Sequence, residues 1–326
     1  MKLRAIVIGS GWGRNAARTL AKDDRVTIAG IVGRGSERTH ALAEELRVPV
    51  LPTVEEAIAA VSPHLAVLAV DEQHNERFAR LLLEAACHVL CAHPVASSAP
   101  AVRDLAALAR TRRLVIATDY SLRACPEHGA ALEALGRSGA LLRVGIEFPG
   151  RGLPMAVDLA ASFAGPAERV FATRVYPNAL GDRVAKAPEA FAPSVVIEHV
   201  GGTVSQLLPM PHARANEAYR ALLSTEAFRI DVRLPAGGAT QLASLREGRV
   251  RESSLTVPTA SADPAAGYRD AVSLVVQDFV DAVVCGSIPI APLNVEIVVR
   301  DVWAAISASL RTREPVHVAI TSPPPA

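Results

Sequence analysis

The stretch Leu3-Arg4-Ala5-Ile6-Val7-Ile8-Gly9-Ser10-Gly11-Trp12-Gly13-Arg14 runs from a short apolar strand into a turn with three glycines. A helix is expected over 15–22, and a second apolar strand over 27–32. Strand, glycine turn, helix and strand in that order form the setting that a dinucleotide fingerprint requires. Gly9 permits the tight turn. Gly11 lets the backbone approach a pyrophosphate at the helix N-terminus, where free N–H groups and the helix dipole favour anions. The spacing departs from Gly-x-Gly-x-x-Gly, because the third glycine's place holds Arg14 and Gly13 comes one residue early. The expected cofactor loop is therefore Gly9, Ser10, Gly11, Trp12, Gly13 and Arg14.

The end of the second strand separates NAD from NADP. An acid there accepts from the ribose 2′-OH in NAD enzymes. Here the residues are Gly33-Arg34-Gly35-Ser36-Glu37-Arg38, with no acid at the strand end. Arg34 and Arg38 can make charge-assisted hydrogen bonds to a 2′-phosphate, and Ser36 can donate while it caps the next helix. The expected cofactor is NADPH, held here by Gly33, Arg34, Gly35, Ser36 and Arg38. The alternative is a solvated loop with ordinary arginines.

Working outward, the alternation continues. Strands are expected over 65–70, 88–91 and 114–118. Phe78, Leu81, Leu82 and Ala85 recur at helical spacing between the first two, and Val102, Leu105 and Leu108 between the last two. Repeated strand–helix units imply a parallel sheet with right-handed crossovers, and ligands bind at the carboxyl ends of its strands. Val70 and His74, Ala92-His93-Pro94, and Asp119-Tyr120 all lie at such ends. Val70, His74, Ala92 and Pro94 are expected along the cofactor. His93 and Tyr120 are the catalytic candidates, since a histidine before a proline at the end of a buried strand is a place for a proton donor facing a nicotinamide ring. The plainer alternatives are a structural His93, a packing Tyr120 and a solvent-exposed His74.

After Tyr120 the texture changes. A helix is expected over 126–138 and another over 155–163. Strand-like stretches fall at 141–148, 169–176, 194–199, 203–208, 227–234 and 240–245, with turns at Gly201-Gly202, Gly237-Gly238 and Glu247-Gly248. Sequential strands with short turns imply a mostly antiparallel sheet. Val272, Val275, Val276, Phe279 and Val283 line one late helix, and 295–310 forms another. The expected class is α/β: a Rossmann dinucleotide-binding domain over 1–121, and an α+β substrate and dimerisation domain over 122–326 with an open, mostly antiparallel sheet. A cleft between them would take the substrate, and the open sheet face would pair with a second copy as a homodimer. Glu198 and His199 alternate on one strand, so only one of them can face that cleft. Arg151 is either a loop cation or a partner for a substrate carboxylate. His212 and Arg214 read as solvated.

Composition narrows the function classes. The chain has 326 residues, 50% hydrophobic, with 34 basic against 33 acidic side chains and a net charge of +1. That balance argues against nucleic acid as a partner. No apolar run reaches the ~20 residues that span a bilayer, and the N-terminus carries no signal-peptide pattern, so a cytoplasmic location is expected. Cys87, Cys91, Cys125 and Cys285 lack paired metal spacing, and no metal is expected. The run Ser322-Pro323-Pro324-Pro325-Ala326 should fray.

With its Gly9–Gly13 turn, Cys91-Ala92-His93-Pro94 and the late Tyr268…Phe279…Gly286-Ser287…Pro289 pattern, the chain resembles the Gfo/Idh/MocA oxidoreductase family over nearly its whole length. Most members of that family carry Glu-Lys-Pro where this chain has Ala92-His93-Pro94, and the lysine handles a proton of a sugar hydroxyl. They also carry Asp-x-Gly-x-His-x-x-Asp where this chain has Arg151 to Asp158. Only Asp158 remains, and Met155 stands in the place of the histidine. His93 and Tyr120 instead look like the histidine and tyrosine of the thiazolinyl imine reductases of siderophore pathways, which use NADPH. Gly35-Ser36-Glu37-Arg38 is also similar to that branch.

This second resemblance implies reduction of a thiazoline C=N on an intermediate held by a nonribosomal peptide synthetase carrier domain. Such a reduction needs a hydride on carbon and a proton on nitrogen, from a donor within hydrogen-bond reach. His93 is the first candidate for that donor and Tyr120 the second. The competing expectations are a divergent sugar or cyclitol dehydrogenase, and a protein that senses NADP without catalysis.

Overall fold

The N-terminal apolar run folds as β1 (Leu3–Ile8) in a computed structural model that describes residues 2–149, 152–174, 192–210, 219–226, 228–235, 240–246, 249–255 and 264–319. The chain divides into two compact units: Met1–Ser121 with Val272–Ile297, and Leu122–Ala271 with Val298–Ala326. A division at residue 121 alone leaves out the returning segment Val272–Ile297. Arg151, Tyr176, His212, Arg214, Gly237, Gly238, Glu247, Gly248 and 322–326 lie outside the described residues.

In the first unit β1 is followed by α1 (Gly13–Leu20), β2 (Val26–Val32), α2 (Glu37–Leu46), β3 (Val50–Leu51), α3 (Val54–Val61), β4 (Leu65–Leu68), α4 (Glu72–Glu84), β5 (His88–Cys91), α5 (Ala99–Arg112) and β6 (Ile116–Thr118). The six strands lie in the order β3-β2-β1-β4-β5-β6, all parallel. Helices on both faces of a parallel sheet explain the continuous apolar runs; Leu-Ala-Val-Leu of β4 is buried at every position. Ile6, Leu68, Leu82, Val89 and Leu105 form the core with Leu293 and Ile297, which arrive from the returning segment. That segment pairs with β6: Ala117 and Pro292 form an antiparallel bridge, and the Thr118 N–H donates to the Ala291 carbonyl at 3.0 Å.

Two long helices, α8 (Pro264–Cys285) and α9 (Leu293–Thr312), each contribute to both units. Within the first unit, α8 buries Val272, Val275, Val276 and Phe279, as its periodicity predicted, and Val280 as well, whereas Val283 is half-buried. It reaches α1 through a Ser273–Thr19 hydroxyl contact of 2.9 Å.

The second unit contains α6 (Pro126–Gly136), β7 (Leu141–Pro149), α7 (Leu153–Ala164), β8 (Ala167–Thr173), β9 (Ser194–His199), β10 (Val204–Met210), β11 (Tyr219–Thr225), β12 (Phe228–Leu234), β13 (Thr240–Arg246), β14 (Arg249–Leu255) and β15 (Val316–His317). Its nine strands form an open sheet, β14-β13-β12-β11-β7-β10-β9-β8-β15. Every neighbouring pair is antiparallel except β7 with β10. β11 and β14 were not expected as strands. β11 buries Tyr219, Ala221, Leu223 and Thr225 on one face, while Arg220 on the other bonds Asp231 of β12 at 2.6 Å. Among the described residues no helix is long and apolar enough to cross a membrane, and no cluster of side chains could hold a metal ion.

Candidate active site

The glycine turn between β1 and α1 is built against the end of β4. Gly9 has φ +91°, and a Cβ there would sit 2.2 Å from the Ala69 carbonyl oxygen, so only glycine fits. A Cβ at Gly13 would sit 3.1 Å from both Ala69 Cβ and Val7 Cγ1. Gly13 therefore provides the close helix–strand packing that the fingerprint assigns to its third glycine, one residue earlier than the spacing rule. Arg14, in the rule's place, is exposed. A Cβ at Gly11 would meet nothing within 4 Å, so the chain itself leaves this backbone open to a ligand. Trp12 stands at the N-cap of α1 without a side-chain cap. The Asn15 N–H donates to the Trp12 carbonyl at 3.0 Å and the Arg14 N–H makes a long 3.4 Å contact with the Gly11 carbonyl, so what the turn offers an anion is chiefly the positive end of the helix dipole. These features fit a dinucleotide pyrophosphate.

A hydroxyl chain joins this turn to the loop after β2. Ser10 Oγ lies 3.3 Å from Thr39 Oγ1, and Thr39 Oγ1 lies 2.9 Å from Ser36 Oγ. Ser36 caps α2 by accepting from the Thr39 N–H at 3.3 Å. Gly33 is held against Thr39, whose side chain a Cβ would meet at 3.1 Å. Gly35 adopts φ +76°. Arg34 and Arg38 are exposed, and neither forms an ion pair among the described residues.

Val70 lies just beyond β4, half-buried, and His74 is exposed on the first turns of α4 with its ring stacked on Phe78 at 5.9 Å. Its neighbour Asn75, which the sequence reading passed over, is fully buried. Asn75 Nδ2 donates to the Pro94 carbonyl at 2.8 Å and to the Ala92 carbonyl at 3.3 Å. It thereby holds the bend Ala92-His93-Pro94 that follows β5, in which the His93–Pro94 peptide is cis. Ala92, His93 and Pro94 are all half-buried, so the bend stays accessible.

His93 stacks on Tyr120, with ring centroids 5.4 Å apart and planes 17° from parallel. Tyr120 has no exposure, and its hydroxyl donates to Glu296 Oε2 at 2.7 Å. Glu296, only 1% exposed, sits in the first turn of α9. Sequence reading passed it over as well; the available signal was a lone carboxylate between Val295 and Ile297. Burial, and then the Glu296 charge, push the Cys91 thiol well above its ordinary range, so Cys91 is an inert core thiol. The Asp119 N–H donates to the Cys91 carbonyl at 2.9 Å, tying the end of β6 to the end of β5.

In the second unit, Met155 on α7 is buried and offers no acid or base. Asp158, the one residue left of the family's motif, is 1% exposed and forked by Arg123, with Nη2–Oδ1 at 2.7 Å and Nε–Oδ1 at 2.9 Å. His128 is buried against Phe163 and contacts Ser162 Oγ at 3.0 Å; burial first, then the Arg123 charge, lower its pKa to about 4. Of the pair on β9, Glu198 faces outward to Arg169, and His199 is buried between the Gly165 carbonyl and Ser205 Oγ.

A parallel sheet with this strand order, an open glycine turn and an uncapped helix N-terminus define a Rossmann dinucleotide-binding domain. Residues 3–120 match the Gfo/Idh/MocA model, described as an oxidoreductase family with an NAD-binding Rossmann fold. The N-terminal unit is thus similar to the NAD-binding Rossmann domain of that family. No curated protein sequence matches the chain.

Solved structures share the fold across both units. An oxidoreductase from Agrobacterium radiobacter, solved with NAD+, L-tartaric acid and magnesium, is similar at TM-score 0.81 and 11% identity, covering 99% of this chain and 100% of that one. UDP-N-acetylglucosamine 3-dehydrogenase from Acidithiobacillus ferrooxidans is similar at TM-score 0.76 and 20% identity, covering 96% and 99%. A protein of gentamicin A biosynthesis in complex with NAD is similar at TM-score 0.78 and 21% identity, covering 97% and 96%.

Proposed function

We propose that the protein is an NADPH-dependent reductase of a cyclic imine, converting a thiazoline to a thiazolidine on an intermediate tethered to a nonribosomal peptide synthetase carrier domain. The observation that carries this reading is His93 at the accessible bend after β5, backed by the Tyr120 ring at 5.4 Å. NADPH, when bound, supplies the hydride to the imine carbon. His93 delivers the proton to the nitrogen, and an imidazole suits that step because it exchanges a proton near neutral pH. Tyr120 remains the second candidate donor, although its hydroxyl is occupied by Glu296. The sugar dehydrogenases that the chain resembles carry a lysine at the bend and a histidine in the place of Met155, and neither is present.

Arg34 and Arg38 support NADPH over NADH by offering two exposed cations where a 2′-phosphate would lie. Asn75 keeps the bend in register, and Gly11 admits the pyrophosphate. The open face of the large sheet, with Phe171 and Leu208 at 37% and 46% exposure, supports pairing of two copies of the chain.

A second reading, a sugar dehydrogenase with divergent catalytic groups, is favoured by the Acidithiobacillus neighbour, a nucleotide-sugar dehydrogenase. Purified protein incubated with NADPH and a 2-substituted thiazoline-4-carboxylate distinguishes the two. Loss of the reduced-nicotinamide absorbance is expected. Turnover of polyols or nucleotide sugars with NADP+, and of no C=N compound, would replace the first reading by the second. Binding of NADPH without either activity would leave a sensor.

A further inference from the structure

Glu296 is a carboxylate in the core of a nucleotide-binding unit, 176 residues from the hydroxyl it bonds. Burying a charge is costly unless donors meet it. Tyr120 meets it with a charge-assisted bond of 2.7 Å, and the first turn of a 20-residue helix adds the positive end of the helix dipole. The chain positions both partners by backbone contacts. The Thr118–Ala291 bond and the Ala117–Pro292 bridge place the start of α9 against β6. The Tyr120 N–H donates to the Thr118 carbonyl at 3.1 Å, fixing where the ring leaves the same strand. The far side of this arrangement is the stack of Tyr120 on His93.

We propose that Glu296 is a positioning residue for His93: it holds the Tyr120 hydroxyl, and the held ring fixes the plane and place of the imidazole. Tyr120 is then a platform, and His93 is the group that delivers the proton. The catalytic half of this statement rests on the reductase reading above; the positioning half does not.

The test uses the full chain with carbon-13-labelled histidine and the variants E296M, E296Q and Y120F, with a His93→Gln sample to assign the His93 ring signals. Stacking on an aromatic ring displaces those signals. E296M and Y120F, which cut the link from opposite ends, are expected to move them towards free-imidazole positions, whereas E296Q, whose amide oxygen still accepts from the phenol, retains most of the displacement. Signals unchanged in both E296M and Y120F would overturn the positioning role, and if E296M fails to fold, Y120F alone decides it.

With the thiazoline-carboxylate, kcat should fall roughly 10- to 100-fold in E296M, as misplacement of a reacting group does. The KM for NADPH should stay near wild type, and E296Q should recover most of the loss. The Y120F/E296M double variant should be no slower than the slower single one, since both cut one link. A Y120F kcat far below that of E296M would make the phenol the donor and overturn the assignment. If wild type leaves every thiazoline unreduced, the reductase reading fails, while the histidine signals still decide the role of Glu296.

Discussion

Asn75 Nδ2 donates to the carbonyl oxygen of Pro94 at 2.8 Å, so a side chain on α4 pins the bend that carries His93. Asn75→Leu removes the donor to the Pro94 carbonyl, while the Ala92 carbonyl keeps its contact from Cys91 Sγ at 3.2 Å. A loss of about 1–3 kcal/mol follows, read by urea unfolding, together with a fall in kcat as His93 loses its register. An Asn75→Leu protein with wild-type unfolding midpoint and kcat would show that the bend holds itself.

The glycines of the first turn separate folding from binding. Gly9→Ala drives a Cβ to 2.2 Å from a backbone oxygen at φ +91°, and should lower Tm and solubility. Gly11→Ala meets nothing of the protein within 4 Å, so its Tm without cofactor should match wild type. Its NADPH affinity, measured by calorimetry, should fall about tenfold or more, because the added methyl takes space needed by the pyrophosphate. Unchanged affinity in Gly11→Ala would place the pyrophosphate elsewhere.

Cofactor choice should reside in two exposed cations. Replacing Arg34 and Arg38 together by Ala removes charge-assisted bonds worth roughly 1.5–3 kcal/mol each, so NADPH affinity should drop at least tenfold and NADH affinity hardly at all. The ratio of the two dissociation constants is the measurement. An equal loss for both cofactors would make these arginines general rather than 2′-phosphate contacts.

Acid should destabilise the protein through buried histidines. The pKa of His128 is lowered from 6.5 to about 4 by burial and then by the Arg123 charge. As pH falls, the unfolded chain takes up this proton before the folded one. The stabilisation is therefore fully present above about 6.5 and is lost as pH falls to about 4. A shift of that size is worth on the order of 3 kcal/mol. His199, His88 and His64 are lowered by burial in the same direction. Unfolding free energy measured from pH 7 to 4 should decline, and His128→Gln should flatten the decline. The same slope in wild type and variant would exclude His128 as a contributor.

The dinucleotide fold was legible because its signals are local. Leu65 to Leu68 and His88 to Cys91 are apolar runs between helical patterns, and the glycine turn sits where a strand meets a helix. Gly13 broke the spacing rule without breaking the packing rule, since what the helix needs is a missing Cβ opposite Ala69. That His93 and Tyr120 come together was legible from their places at the ends of neighbouring strands. Asn75 and Glu296 were not, because each is identified by partners 17 to 176 residues away. β11 was missed for a related reason: Arg220, Leu222 and Ser224 read as an undistinguished polar-apolar mixture until Asp231 and Glu147 flank Arg220 on neighbouring strands.

The pairing of Ala291 and Pro292 with β6 has a consequence during synthesis. The strand that ends the N-terminal sheet, and the phenol just after it, are completed by residues made more than 160 positions later. A nascent chain that has released only its first 121 residues exposes the flank of β6 and leaves Tyr120 without its carboxylate. The nucleotide-binding unit thus matures only after the intervening sheet has emerged from the ribosome, and a gene cut at the apparent domain border would encode an unfinished product.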